Sequence, residues 1–217
     1  PELPKTRWLS HYAQRFSTVE INSSFYHLPT EKAFGTWRGR APDGFLYALK
    51  VSRYITHLKK LRDVEEPLQT FAARARLLGD RLGPLLYQLP PGLRRNDARL
   101  EAFLKGLPRD LRHVFEFRHE SWFDDAVYAL LRRHHTGFCI YDLPGTTTPM
   151  VATAGFAYVR FHGSTGLYNS CYTDDELRSW AERIATLAGG RSAVYVYFNN
   201  DTQAHAVGNA SRLKDLL

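Results

Sequence analysis

Seven short apolar runs, each closing on a polar or charged residue, set the tightest limit on how this chain can fold. They are Thr18-Val-Glu-Ile-Asn22, Leu46-Tyr-Ala-Leu-Lys50, Leu85-Leu-Tyr-Gln88, Val114-Phe-Glu-Phe-Arg118, Phe138-Cys-Ile-Tyr-Asp142, Tyr158-Val-Arg-Phe-His162 and Val194-Tyr-Val-Tyr-Phe-Asn199. Successive side chains of a strand point to opposite faces. Val19 and Ile21 therefore face one way, and Glu20 and Asn22 the other. The same reading places Lys50, Gln88, Glu116, Arg118, Asp142, Arg160, His162 and Asn199 on a shared polar phase at the strand exits. Strands that are apolar along most of their length and polar at the exit describe a parallel sheet whose C-terminal rim is a site.

Between these runs the apolar period changes to that of helices. Residues 67–78 carry Leu68, Phe71, Ala72, Ala75 and Leu78 on one stripe, and residues 98–107 carry Leu100, Phe103, Leu104 and Leu107. Residues 123–134 and 174–187 follow, the second opened by Thr173-Asp-Asp-Glu176, a capping-box pattern. A shorter last helix is expected over 209–217. Strand and helix thus alternate along the whole chain, which restricts it to a doubly wound sheet or a (β/α) barrel. An open sheet covered on both faces by helices would be apolar on both phases. A polar phase that recurs at every exit favours the TIM-type barrel.

At 217 residues the chain has the size of one domain. It is read as a single (β/α)-barrel domain spanning 1–217, with an N-terminal strand missing. Seven strands are visible where such a barrel needs eight, the first residue is Pro1, and Met150 is the only methionine. No apolar stretch reaches the roughly 20 residues of a membrane span. Cys139 and Cys171 lack metal or redox spacing and read as reduced thiols, so a cytoplasmic location without membrane association is expected. The net charge of +7 favours an anionic partner. No block of like charge marks a nucleic-acid arm.

The expected rim offers Glu20, Glu116 and Asp142 as carboxylates, Lys50, Arg118 and Arg160 as cations, and His162, with His57, as titratable rings. Opposite charges crowded into a pocket shift one another's pKa, as acid/base work requires. Glu20 and Glu116 are read either as an acid/base pair or as counter-ions of the cations, and Lys50 either as a reactive amine or as an anion ligand. Catalytic candidates are Glu20, Lys50, Glu116, Arg118 and His162. Substrate-binding candidates are Asn22, Gln88, Trp122, Asp142, Arg160, Gly163, Asn199 and Asp201. The loop Gly163-Ser-Thr-Gly166 and the segment from Asn199 to Asn209 resemble the phosphate-binding ends of barrel strands. Phe25, Tyr26, Trp122, Tyr168 and Tyr172 could stack on a ring or roof the barrel. No cofactor is expected; a divalent metal on His162, Glu116, Asp142 and Glu20 is the alternative.

The segments Phe16–Tyr26, Lys50 with Ile55-Thr-His57, Leu86–Pro91, Phe115–Trp122, Val159–Gly163 and Tyr197–Asp201 stand in the order seen in the YecE-like family, also called the domain of unknown function seventy-two, and the chain resembles that family over nearly its full length. The resemblance implies a TIM-type barrel and no established reaction. It also implies a further strand, with a Gly-rich, Trp-containing segment, ahead of the helix at Trp8–Phe16. Three functions stay open on the sequence: an enzyme doing acid/base chemistry on a small anionic substrate such as a phosphorylated sugar or phosphoester; a nucleic-acid binding or processing protein; and a non-catalytic metabolite-binding module. A hydrolase, isomerase or lyase is expected under the first.

Overall fold

The computed structural model describes residues 3–217. Parallel strands alternate with helices throughout, the α/β arrangement of the TIM-type (β/α) barrel class. The chain divides into two compact units, one ending at His113 and the other running Val114–Leu217.

The first unit contains α1 (Trp8–Ala13), β1 (Thr18–Ile21), α2 (Ser23–Tyr26), α3 (Glu31–Arg40), β2 (Leu46–Lys50), α4 (Glu65–Arg76), β3 (Leu82–Gln88) and α5 (Asp97–Lys105). β1 and β2 pair in parallel with Glu20 beside Ala48. β2 and β3 pair in parallel with Lys50 beside Leu86. Because side chains two apart share a face, this register puts Glu20, Lys50 and Gln88 on one face of the sheet. The opposite face packs on helices, as where Tyr47 lies 6.1 Å from Trp37 of α3. The stripe expected on 67–78 is buried as Leu68, Phe71, Ala72 and Ala75 of α4. β3 starts three residues earlier than its apolar run suggests, because Gly83-Pro84 sits inside the strand. A Cβ on Gly83 would come within 3.0 Å of the Tyr47 carbonyl, so the bare glycine lets the two backbones approach.

The second unit begins within β4 (His113–Glu116) and continues through α6 (Asp125–Arg133), β5 (Gly137–Leu143), β6 (Thr146–Thr147), β7 (Phe156–Phe161), α7 (Asp174–Ala188), β8 (Ala193–Phe198) and α8 (His205–Leu216). β4–β5, β5–β7 and β7–β8 are parallel, and the two-residue β6 folds back antiparallel on β5. The capping box at Thr173 and Glu176 forms as the sequence predicts, and α7 buries Leu177, Trp180, Ala181, Ile184 and Leu187. That spacing of three and four is the apolar stripe of a helix lying on a sheet. Phe117, Phe138 and Phe161 form the helix-facing side of the sheet, against Trp122, Tyr128 and Trp180. The last helix starts at His205, four residues before the expected 209, so Asn209 lies in its second turn. Elements without a clear sequence signal include α2, α3, β6 and the wide helical turn Tyr54–Leu58 after β2.

Candidate functional site

Two residues apart on β4 and just past its end, Glu116 and Arg118 share the face opposite Phe115 and Phe117. Glu116 is wholly buried. One of its oxygens accepts from Arg118 Nε, and the other accepts from Arg160 Nη1 at 2.6 Å. The thiol of Cys139, on β5, points at that second oxygen from 3.7 Å. Burial alone would raise the proton affinity of Glu116, but the charges of Arg118 and Arg160 outweigh it and hold the carboxyl far below the ordinary glutamate range. Glu116 is therefore a fixed anion.

Arg118 is the member of this group nearest solvent, its side chain 12% exposed against 3% for Arg160. Its Nη2 donates to His162 Nε2 at 2.9 Å, and its plane lies 4.6 Å over the ring of Tyr141. A guanidinium can only donate, so Nε2 of His162 is the acceptor nitrogen and the ring proton sits on Nδ1. Nε and Nη2 are thus committed, and Nη1 makes no hydrogen bond within the described residues. Glu116, Arg118, Arg160 and His162 are brought together as the strand phase predicts.

Asp142 is the exception. It shares its phase with Phe138 and Ile140 of the helix-facing side, and the β5 residue that joins Arg118 is Tyr141. Both Asp142 oxygens are engaged, one by Thr147 Oγ1 at 2.6 Å and the other by Tyr172 Oη at 2.9 Å. It opens onto a different space, a cleft of about 630 Å³ between the β5–β6 hairpin and α7. The sequence run Phe138–Asp142 has no internal polar residue to fix its phase. Sequence reasoning therefore misses Tyr141 and misplaces Asp142.

The loop after β7 needs its glycines for a reason other than an anion. Gly163 has φ +103°, and a Cβ there would stand 2.2 Å from the Gly166 carbonyl and 2.7 Å from Ser170 Oγ. Its N–H donates to Tyr172 Oη at 3.1 Å, while Thr165 N–H goes to Ser170 Oγ and Ser170 N–H to the Gly166 carbonyl. These donors close the loop on itself. Gly163→Ala is expected to cost about 1–3 kcal/mol for strain of this kind, lowering the melting temperature by roughly 2–12 °C for a chain of this size. Calorimetry showing an unchanged transition would remove this account of Gly163.

At the exit of β8 the ladder continues with Asn199 N–H donating to the Phe161 carbonyl at 2.7 Å, which sets Asn199 next to His162 in register. Asn199 Oδ1 and Asn200 Oδ1 are buried acceptors with no hydrogen-bond donor among the described residues. Asn200 Nδ2 donates to Ser170 O and to Asn209 Oδ1, which in turn accepts from Tyr172 N–H. Asp201 is exposed in the following loop. Trp122 is 1% exposed and stacks on Phe117 at 4.7 Å, so it forms part of the helix-facing core.

The first unit holds a cluster of its own. Lys50 Nζ lies 4.4 Å over the ring of Phe25, and the His57 ring packs edge-on to Phe25 at 5.0 Å. Ser24 Oγ donates to the carbonyls of Ile21 and Lys50, tying the exits of β1 and β2 together. Burial, then the charges of Lys50 and Arg53, push the His57 imidazole below its ordinary value, so the ring is neutral near pH 7. Glu20, Asn22 and Gln88 are half-buried on or next to the strand ends. Among the described residues no three His, Cys, Asp or Glu side chains group as metal ligands. The donors of Glu116, Asp142 and His162 that could serve a cation are taken up by guanidinium and hydroxyl groups. No helix among these residues is long and apolar enough to cross a membrane.

The family model described as "Protein of unknown function DUF72" matches residues 1–217. The chain is 33% identical over 117 residues to the UPF0759 protein YecE of Escherichia coli K12, a match covering 53% of this chain and 43% of that protein, less than half of its length. To the UPF0759 protein YunF of Bacillus subtilis it is 23% identical over 250 residues, covering 100% of this chain and 89% of the relative. Among solved structures, a DUF72 family protein of Thermotoga maritima superposes with TM-score 0.86 at 28% identity, covering 99% and 90% of the two chains. One of Enterococcus faecalis does so with TM-score 0.88 at 20% identity, covering 96% and 87%. The fold is common to this chain and these solved structures.

Proposed function

Because this chain belongs to the DUF72 family, whose description names no reaction, its chemistry has to be read from its own side chains, and we propose that it is an enzyme performing acid/base chemistry on a small, hydroxyl-bearing anion such as a phosphorylated sugar or phosphoester. The observation that carries this reading is Arg118. It is fixed at three points by Glu116, His162 and Tyr141, and one amino group, Nη1, has no acceptor among the described residues. A guanidinium immobilised in this way meets a phosphoryl or carboxylate oxygen with little ordering cost.

The cluster gathers the positive charge of two guanidiniums around one carboxylate, Glu116. Set in a mostly buried site, that charge stabilises negative charge developing on the substrate. Glu116 serves as the counter-ion that positions both arginines. In this proposal His162 Nδ1–H donates the proton, and Arg160 adds its charge to the attraction for the anion. Asn199 Oδ1, a buried acceptor without a donor, suits a substrate hydroxyl. Glu20 and Lys50 are retained as candidate groups of the first unit.

The test is a panel of phosphorylated sugars and small phosphoesters followed by phosphorus and proton NMR. At least one compound should be converted by the wild-type protein. His162→Asn should slow that conversion about 100-fold, within the range of a lost acid/base group, while anion binding persists. Equal turnover by the variant would remove His162 from the chemistry. An absence of both turnover and thermal stabilisation by every anion would remove the proposal.

A further inference from the structure

The ten residues Arg53–Arg62 carry four cations and no carboxylate. Their backbone is unusual. Tyr54–Leu58 forms a wide helical turn in which Lys59 N–H reaches back to the Tyr54 carbonyl and Leu61 N–H to the Ile55 carbonyl. Lys60, Leu61 and Asp63 then adopt left-handed conformations at φ 51°, 69° and 49°. Non-glycine residues in that region are strained, and such strain gathers where side chains must be aimed for a task.

The segment separates its side chains. Ile55, Thr56 and Leu61 turn inward and are buried, while Arg53, Tyr54, Lys60 and Arg62 face solvent. Tyr54 is 43% exposed, with the Lys59 ammonium 6.0 Å from its ring. Tyr26, 61% exposed, is linked to this turn through Phe25. Its ring contacts Phe25 at 5.0 Å, and Phe25 contacts His57 of the turn at 5.0 Å. Two accessible tyrosines are therefore joined to one cationic turn, Tyr54 within it and Tyr26 through Phe25 and His57.

We propose that the surface formed by Tyr26 and Tyr54 with Arg53, Lys59, Lys60 and Arg62 binds single-stranded polynucleotide. Bases stack on the two tyrosine rings, and phosphates lie against the cations. A duplex keeps its base faces hidden and could offer this surface only phosphates. An anionic membrane is a poorer fit, because a five-residue turn lacks the broad apolar face of an interfacial helix. Acidic residues resume directly afterwards at Asp63, Glu65 and Glu66, which bounds the positive stretch. This surface lies wholly in the first unit and does not depend on the chemistry proposed for Arg118 and His162.

Fluorescence anisotropy on the whole chain tests it, with labelled oligothymidylate and oligouridylate of about 20 nucleotides as probes, long enough to cross one such surface. The wild-type protein should bind both, with affinity falling steeply as salt rises. Tyr26→Ala with Tyr54→Ala should weaken binding about tenfold or more, and Tyr54→Phe should leave it intact. Lys59→Gln with Lys60→Gln should flatten the logarithmic salt slope by about 0.7 for each phosphate no longer neutralised. Arg118→Lys should leave oligonucleotide affinity unchanged. The substituted side chains are exposed or half-buried, and circular dichroism checks that each variant is folded. No binding by the wild type, equal binding by the double tyrosine variant, tighter binding of duplex, or binding of anionic phospholipid vesicles in place of oligonucleotides would each overturn the proposal.

Discussion

Glu116→Gln should destabilise this protein more than any other single polar substitution at the strand ends. The carboxylate sits between Arg118 and Arg160, each held by one of its oxygens, and has no solvent exposure of its own. The glutamine amide keeps the shape but offers one acceptor oxygen, and its amino group points a donor at a second donor. Two guanidiniums then face each other with no negative charge between them. Removing one partner from a buried charge network costs about 3–5 kcal/mol, which for a chain of this length lowers the melting temperature by roughly 6–20 °C. Scanning calorimetry measures this, and a shift within about 2 °C, under 1 kcal/mol, would mean that the network relaxes or fills with water.

The same carboxylate gives the wild type an acid-side signature. Its folded pKa is depressed below the ordinary value of 4.5. The unfolded chain therefore takes up this proton first as pH falls. The stabilisation is fully present above about 4.5, the ordinary glutamate value, and drains away below it. In Glu116→Gln that part of the acid-side slope should disappear, while stability between pH 6 and 8 stays offset by a constant amount.

Arg118→Lys should act on ligand binding far more than on stability. Lysine keeps a positive charge beside Glu116, so the buried anion stays compensated. What it loses is the planar fork: the donor to His162 Nε2, the stack on Tyr141 and the amino group presented outward. One or two charge-assisted hydrogen bonds to an anion are at stake, together worth a loss of about 10–100-fold in affinity or kcat/KM. Titration with whichever anion stabilises the wild type checks this. A variant that binds as well would show that Arg118 is only a strut for Glu116.

These outcomes bear on what can be read from the chain beforehand. Strand phase is sufficient for Glu116, Arg118, Arg160 and His162, because in each run a charged residue interrupts the apolar sequence and marks its own face. β5 lacks such a mark. Phe138-Cys-Ile-Tyr-Asp142 is apolar on both phases, and the terminal aspartate falls on the helix side. Tyr141 gives no sign of its role because a tyrosine in an apolar run reads as core until its ring is seen against a partner; Tyr172 is legible as a rim aromatic, but its hydroxyl bonds to Asp142 and Gly163 are not. The glycines at 163 and 166 are visible, but their cause is not. A glycine demanded by an anion and one demanded by its own loop look alike in sequence. The left-handed conformations of Lys60 and Leu61 have no sequence signal, since neither residue favours them by itself, whereas Asp63 is of a type that tolerates that region.

Asn209 holds a position whose effect reaches beyond its own helix. One carboxamide accepts from the Tyr172 backbone and from Asn200, and its nitrogen returns a bond to the Tyr172 carbonyl at 3.0 Å. Tyr172 in turn bonds Gly163, the residue directly after His162. Helix α8 is thus linked through Tyr172 to the backbone of the residue that follows His162. Any event that loosens this helix would be passed to the loop beside His162 as well as to β8, on which the helix packs.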